Sequence, residues 1–548
     1  MAEVKITTFN YSCGNYANWQ LPFDYHCLYI LENGKAAYIG VTKNPVRRSK
    51  EHKNIGDLCS KYSFLRIHII TGQTFEETPA KHYETLLRRL MKADGKFKII
   101  NAEHDEWQHY YRKNEFELCF DQLWLELEKK GLVKDKDFQS VLNLSSYKFS
   151  PDMGLTMLQR EALTSIMHTI DSGETQPHVA GFLTRPILIS GDAGSGKTVV
   201  ATSLFYKLRT LEKYKKLKIG LVYSVTSTRT EIQKVFKTVP GLRKKDVITP
   251  GNVAKEYYDI IICDEAQRLR RPKNAGQYYS GYMKRVNSKL ELETDSDELD
   301  WILKNSGCQI FFRDEKQSTA PADIPKDSFD ERLYARNRGI RPIELKEQMR
   351  IRAGESYVPY VYDMLYGASP AYKNFENYDW GIFPSFDEMF QKLKEKEKTV
   401  GLCRLCGGYA WKWKSKDTPN FPDIQIENTG IWWNRQTKGW LHNLSAKEEM
   451  GSIYTLPGLD LNYAAVVIGP ELYYDPDEDA IKVDKSHFFD NKVKKKCTDE
   501  DLRRFILNTY AVFLTRGILG TYIYVCDPNL RRYLQKYIPT LGNEVKSL

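Results

Sequence analysis

The run ILISGDAGSGKT at residues 187–198 limits the fold of this chain more than any other stretch. It satisfies G-x-x-x-x-G-K-[ST], with an apolar strand pattern before it and a helical pattern, VVATSLFYKL, after it. Glycines at Gly191, Gly194 and Gly196 let backbone N–H groups turn inward toward phosphate, and the helix N-terminus adds positive potential. In that geometry Lys197 reaches the β- and γ-phosphates and Thr198 binds Mg²⁺. A strand–loop–helix of this kind belongs to a parallel sheet. Further β-branched runs follow at 219–225, 259–265 and 308–315, with helical patterns between most of them. Such alternation predicts a parallel sheet with helices on its faces. A second set of strands is expected at 399–405, 464–472 and 520–527. Asp264-Glu265 closes the run DIIICDE: Asp264 would hold Mg²⁺ through water, and Glu265 would polarise the attacking water.

The 548 residues suggest about three domains. The expected boundaries are 1–150, 151–340 and 341–548. The formal charge of +10 permits a polyanionic partner without demonstrating one. No apolar run approaches the ~20 residues of a membrane span, and MAEVKITTFNYSCGN lacks the apolar core of a secretory signal. Ten scattered cysteines suit a reducing cytoplasm. Only Cys403 and Cys406 form a CxxC, and without a second pair they read as packed thiols rather than a zinc site. Trp411 and Trp413 in YAWKWKSK alternate with lysines, a pattern that serves either core packing or base stacking. The acidic run at 291–300 reads as a solvated loop or helix start, and KVKKK at 492–496 as an exposed insertion.

The pieces beyond the P-loop resemble superfamily 1 helicases in motif order. Asp264-Glu265-Ala266-Gln267 is similar to motif II. Gln159 in LTMLQREAL stands like the adenine-reading glutamine, and Ser227-Thr228 like motif Ia. Asp314 and Gln317 in FFRDEKQS resemble the segment that senses γ-phosphate. Arg350 in LKEQMR and Arg516 in FLTRG resemble the motif IV arginine and the motif VI arginine finger. Pro457-Gly458-Leu459-Asp460 stands where many relatives have Gln-Gly-Leu-Glu. The similarity is greatest to the Schlafen-type group and covers about 155–530. It implies ATP and Mg²⁺ as cofactors and two RecA-like lobes, with Gly458 near the nucleotide and both arginines at the γ-phosphate.

A hairpin is predicted around Asn33-Gly34, with strands at 25–31 and 36–40 and helices at 45–53, 78–92 and 116–130. Residues 27–53, CLYILENGKAAYIGVTKNPVRRSKEHK, resemble the GIY-YIG nuclease family. Cys27-Leu28-Tyr29 stands at its first triplet and Tyr38-Ile39-Gly40 at its second. Arg48, Glu84 and Asn101 follow in family order, with His52 one turn beyond Arg48. The resemblance implies a small α+β domain in which Glu84 holds one Mg²⁺ and Arg48 clamps the scissile phosphate. Tyr29 would act as base with Tyr38 as its partner, or the two in exchanged roles, and His52 would share the proton work or position phosphate. The whole chain is therefore expected to be α/β. A Mg²⁺-dependent DNA endonuclease would precede an ATP-hydrolysing motor, acting in bacterial defence. An ATP-gated switch without unwinding, and RNA as target, stay open alternatives, as does a homo-oligomer.

Overall fold

The computed structural model describes residues 4–11, 26–54, 61–72, 75–101, 120–134, 138–151, 155–172, 186–273, 275–348, 350–415, 420–435, 440–456, 460–495 and 497–542. Gly458, with Pro457 and Leu459, lies outside them, as do 116–119 of the expected helix. The chain forms two compact units, Met1–Met157 and Leu158–Leu548.

The first unit is a mixed sheet. Its strands are β1 (Val4–Asn10), β2 (Cys27–Glu32), β3 (Ala36–Thr42), β4 (Arg66–Gly72) and β5 (Lys98–Ile99), in the order β1-β4-β2-β3-β5. The first four pair antiparallel, and β5 joins β3 in parallel. The hairpin turn lies where Asn33-Gly34 predicts it, and Asn33 Oδ1 accepts from the N–H of Lys35 and Ala36 at 3.0 and 2.7 Å. Helix Glu77–Asp94 lays Tyr83, Leu87 and Leu90 against Leu28, Ile30 and Ile39 of the sheet. Helix Phe120–Lys129 completes that core with Leu123, Trp124 and Leu127. Helix Pro45–Asn54 follows β3 and carries Arg47, Arg48 and His52.

The second unit holds two parallel sheets. The first contains β6 (Ile187–Gly191), β7 (Ile219–Tyr223), β8 (Val247–Ile248), β9 (Tyr258–Asp264), β10 (Ser306–Arg313) and β11 (Ile343–Leu345), in the order β11-β6-β10-β9-β7-β8. All its pairs are parallel. The interior strand β10 is buried along its whole length, Gln309 and Arg313 included. One boundary needs correcting. The first lobe was expected to end at 340, but Ile343 and Leu345 of β11 pair with Ile189 and Gly191 of β6, so this lobe continues through Leu345.

The second sheet contains β12 (Asp379–Ile382), β13 (Cys403–Gly407), β14 (Ile424–Ile426), β15 (Thr429–Trp433), β16 (Glu449–Gly451) and β17 (Leu461–Ile468). A small antiparallel hairpin, β18 (Leu472–Asp475) and β19 (Ala480–Val483), stands apart, and β20 (Gly517–Val525) returns to the sheet. The order is β12-β20-β17-β13-β16-β15-β14, parallel except for the β14–β15 edge. Alternate residues of β17 face opposite layers. Val466 and Ile468 pack with Leu502, Ile506 and Tyr510 of helix Asp499–Leu514, while Ala465 and Val467 pack with Phe386, Met389 and Leu393 of helix Phe386–Val400. Cys403 and Cys406 are buried on β13, their thiols donating to the carbonyls of Gly401 and Arg404. Trp411 packs beside the second-lobe core, whereas Trp413 is exposed. In the acidic run, Asp297 caps helix Glu298–Lys304 by accepting from the N–H of Leu299 and Asp300. No helix among the described residues is long and apolar enough to cross a membrane.

Candidate functional site

The loop after β6 enters helix Lys197–Thr210 through two left-handed glycines, Gly194 (φ +86°) and Gly196 (φ +83°). Neither has room for a Cβ: the side chain of Gln348 crowds Gly194, and that of Gln159 crowds Gly196. Gln159 is buried and donates to the Ser195 carbonyl at 3.2 Å, so it packs directly on the loop. Lys197 Nζ donates to the carbonyls of Gly191 and Asp192 at 2.7 and 2.9 Å and lies 3.5 Å from Asp314 Oδ2. Ser227 and Thr228 are buried at the start of helix Thr226–Phe236, just after β7.

Asp264 ends β9 beside the P-loop helix. Its Oδ2 accepts from Thr198 Oγ1 at 2.7 Å, and its Oδ1 accepts from the Glu265 N–H at 3.0 Å. Burial, and then the neighbouring Glu265, push the Asp264 carboxyl upward. A buried carboxylate beside a hydroxyl is an all-oxygen donor set of the kind Mg²⁺ takes, so the residues present fit that ion. Glu265 stands in the left-handed region at φ +53°, an uncommon conformation for a non-glycine residue. Gln267 fixes its side chain: Nε2 donates to Glu265 Oε2 at 2.5 Å, and Oε1 accepts from the Asp314 N–H at 3.1 Å. Gln317 donates to Asp314 Oδ2 at 2.6 Å and accepts from Arg516 Nη2 at 3.0 Å. A hydrogen-bonded chain thus runs from the glutamate after β9 to an arginine of the second lobe. Burial, followed by the charge of Arg350, lowers Arg516 to about 10.

Arg350 departs from its expected place. Its guanidinium is held in the second lobe, with Nη1 donating to Asp460 Oδ1 at 2.8 Å and Nη2 to the Thr515 carbonyl at 2.7 Å. It adjoins Arg516 without joining the Gln317–Asp314 chain. Asp460, one of the departures from the family pattern, serves as the anchor for Arg350. Gln348 escaped the sequence reading, although it lies two residues before Arg350 in LKEQMR.

The first unit gathers its own cluster. Tyr29 on β2 is buried, with its hydroxyl 2.7 Å from His52 Nε2 and 3.4 Å from Arg48 Nε. The ring of Tyr38 sits 4.9 Å from that of His52 and 6.1 Å from that of Tyr29. Gly40 pairs with Tyr29 across the hairpin, and a Cβ there would lie 2.5 Å from the Tyr29 hydroxyl oxygen. Burial lowers His52 to about 4, with Arg48 adding to the effect, so its imidazole is neutral at pH 7. Its Nε2 shares a hydrogen bond with the Tyr29 hydroxyl, the direction following the imidazole tautomer. Burial pushes Tyr29 well above its ordinary value, and the charges of Tyr38 and Glu84 add to this, against the pull of Arg48. Tyr29 and Tyr38 thus lie together, with His52 against both rings and Arg48 at the Tyr29 hydroxyl. Glu84 is half-buried on helix Glu77–Asp94. The Asn101 side chain pairs with the backbone of Ile39, accepting at 3.0 Å and donating at 2.5 Å, which ties it to β3. Arg48 Nη1 also donates to Glu51 at 3.0 Å. Cys27, where the nuclease family has glycine, donates its thiol to the Thr42 carbonyl.

Residues 184–527 match the family described as Schlafen group 3, DNA/RNA helicase domain. The chain is 26% identical to the uncharacterized protein YPL245W of Saccharomyces cerevisiae, a similarity covering 63% of this chain and 83% of that protein. Among solved structures it is similar to the arterivirus nonstructural protein 10 helicase, at 14% identity and a TM-score of 0.29, over 65% of this chain and 62% of that one. The Pif1 helicase of Candida albicans gives 15% identity and a TM-score of 0.23, over 50% of this chain and 63% of that one. The chain thus spans 62–63% of the length of these two solved proteins.

Proposed function

The chain belongs to the Schlafen group 3 family of DNA/RNA helicase domains, and from that premise we propose that it is an ATP-hydrolysing motor acting on single-stranded nucleic acid, with a nuclease at its N-terminus. One observation carries the motor reading: the chain Glu265–Gln267–Asp314–Gln317–Arg516 joins the two lobes of the second unit. Lys197 and the loop N–H groups bind the nucleotide phosphates. Thr198 and Asp264 would hold Mg²⁺, which supplies charge neutralisation at the phosphates. Glu265, oriented by Gln267, polarises the attacking water. Arg516 stabilises the charge that develops on the transferred phosphoryl group. Gln317 reports the arginine's position to Asp314, so hydrolysis and lobe movement are linked. ATP turnover measured with and without single-stranded DNA and RNA tests this. Stimulation by either strand supports the motor, and its absence favours a nucleotide-gated switch.

The nuclease reading rests on Tyr29, whose buried hydroxyl lies within hydrogen-bonding distance of both His52 and Arg48. As water attacks the phosphodiester, Tyr29 takes its proton while passing its own to neutral His52. Arg48 polarises the Tyr29 hydroxyl and stabilises the charge developing on the phosphate. Glu84 is the carboxylate that would hold Mg²⁺ through oxygen ligation, and the ion would stabilise the leaving oxyanion. DNA is the proposed substrate. Incubating plasmid DNA, and in parallel RNA, with Mg²⁺ in the presence and absence of ATP tests this for wild type and for the Glu84 and Lys197 variants. The expected role against foreign DNA rests on no side chain and forms no part of this proposal.

A further inference from the structure

The segment between Leu345, the end of the first lobe's edge strand, and Tyr357, where helix Tyr357–Tyr366 of the second lobe begins, is fastened to the P-loop at one place among the described residues. Gln348 Nε2 donates to the Ala193 carbonyl at 2.7 Å. Its Oε1 accepts from the backbone N–H of Arg350 at 3.1 Å and of Ile351 at 3.2 Å. Both ends of this amide are therefore engaged. One end grips the phosphate-binding loop, and the other holds the backbone on which Arg350 stands. The loop is built to admit it, since a Cβ on Gly194 would collide with the Gln348 amide. Arg350 in turn bonds to Asp460 and to the carbonyl of Thr515, next to Arg516. Two routes thus link the P-loop to the arginine pair. One runs through Lys197, Asp314 and Gln317, the other through Gln348.

We propose that Gln348 is a positioning residue of the ATPase: it ties the interlobe connector to the P-loop and so sets where Arg350 stands when nucleotide binds. The inference rests on the ATPase reading above. It predicts that removing the tie spares binding of the nucleotide's diphosphate part and removes only the advantage contributed by the γ-phosphate.

Gln348→Glu cuts the tie selectively. The carboxylate still accepts from the N–H groups of Arg350 and Ile351 but cannot donate to Ala193. Gln348→Leu, of similar size, removes both ends. Equilibrium binding of fluorescent ADP and of a non-hydrolysable ATP analogue is measured for wild type, both variants, Arg350→Ala and the Gln348→Glu/Arg350→Ala double variant. Turnover is measured alongside. The expected result is ADP affinity within about twofold of wild type, with the analogue's preference over ADP reduced about tenfold, the scale of one lost hydrogen bond. kcat falls with little change in KM, and the double variant is no worse than Arg350→Ala alone. Equal weakening of ADP and analogue overturns the inference and leaves Gln348 a structural plug of the loop. Additive losses in the double variant overturn it as well. Wild type that binds neither nucleotide overturns the ATPase reading itself, and the inference with it.

Discussion

Arg516 Nη2 donates to Gln317 Oε1 at 3.0 Å, joining residues 199 positions apart and on different lobes of the second unit. Both side chains are buried, and the arginine's charge is disfavoured there by burial and by Arg350. A charged donor in such a place depends on its acceptor. Gln317→Ala, Arg516→Ala and the double variant should therefore be non-additive, with a coupling of about 1.5–3 kcal/mol in unfolding free energy. Arg516→Ala should also lower ATP turnover by roughly 10³-fold. A denaturant cycle and steady-state ATPase assays measure the two effects separately.

Lys197→Ala and Glu265→Gln should separate binding from hydrolysis. Lys197 is the proposed phosphate-binding cation of the loop, so its loss should weaken nucleotide binding. The amide introduced by Glu265→Gln keeps the shape of the glutamate and an oxygen acceptor for Gln267, so ATP should remain bound and unhydrolysed. Filter binding and phosphate release distinguish the two. If translocation feeds the nuclease, both variants lose ATP-stimulated cleavage. If ATP binding is the switch, they move cleavage in opposite directions.

Glu84→Ala should abolish Mg²⁺-dependent nicking and leave ATP turnover unchanged. Glu84 lies in the first unit and Lys197 in the second. Nicking by the purified variant at the wild-type rate would remove Glu84 as metal ligand.

Gly40→Ala should displace Tyr29. The new methyl would stand 2.5 Å from the hydroxyl oxygen and 2.6 Å from Cζ of the ring. The first unit should lose about 1–3 kcal/mol, as overpacked sites do, and cleavage should fall with it. Thermal melting and the plasmid assay report the two losses together.

His52 titrates with a definite sign. Its folded-state value is lowered to about 4 from the ordinary 6.5. Between those values the unfolded chain binds the proton and the folded unit does not, so stability rises with pH across that window and falls as pH drops through it. Cleavage should be independent of His52 protonation above about pH 5, since the neutral acceptor is already formed there. Melting temperature followed from about pH 4 to 7 in wild type and His52→Gln checks this, and the variant should show the shallower slope.

Motifs whose chemistry is local in sequence were legible before the structure. Lys197, Thr198, Asp264 and Glu265 come from a fixed loop and a strand end, where Thr198 donates to Asp264. The hairpin carrying Tyr29 and Tyr38 was equally plain. What escaped depends on distant chain. β1 buries only Ile6, and its Val4–Ile6 alternation is too short to mark a strand without its partner β4. β11 is three residues long and owes its place to pairing with β6. Arg350 could be found by motif order, but its partner Asp460 is 110 positions away. The proton affinity of Tyr29 follows from burial beside Phe64, Ile67 and Ile69, which the β4 region supplies. No spacing rule around the two tyrosines encodes that.

The pairing of β11 with β6 has a bearing on self-association. β6 carries the P-loop, and β11 covers one of its two edges. A fragment of the first lobe cut at residue 340 would leave that edge with open N–H and C=O groups along an apolar strand, a template on which another copy could add. Three residues of chain therefore stand as a guard strand, replacing the longer apolar edge of β6 with a short one of their own.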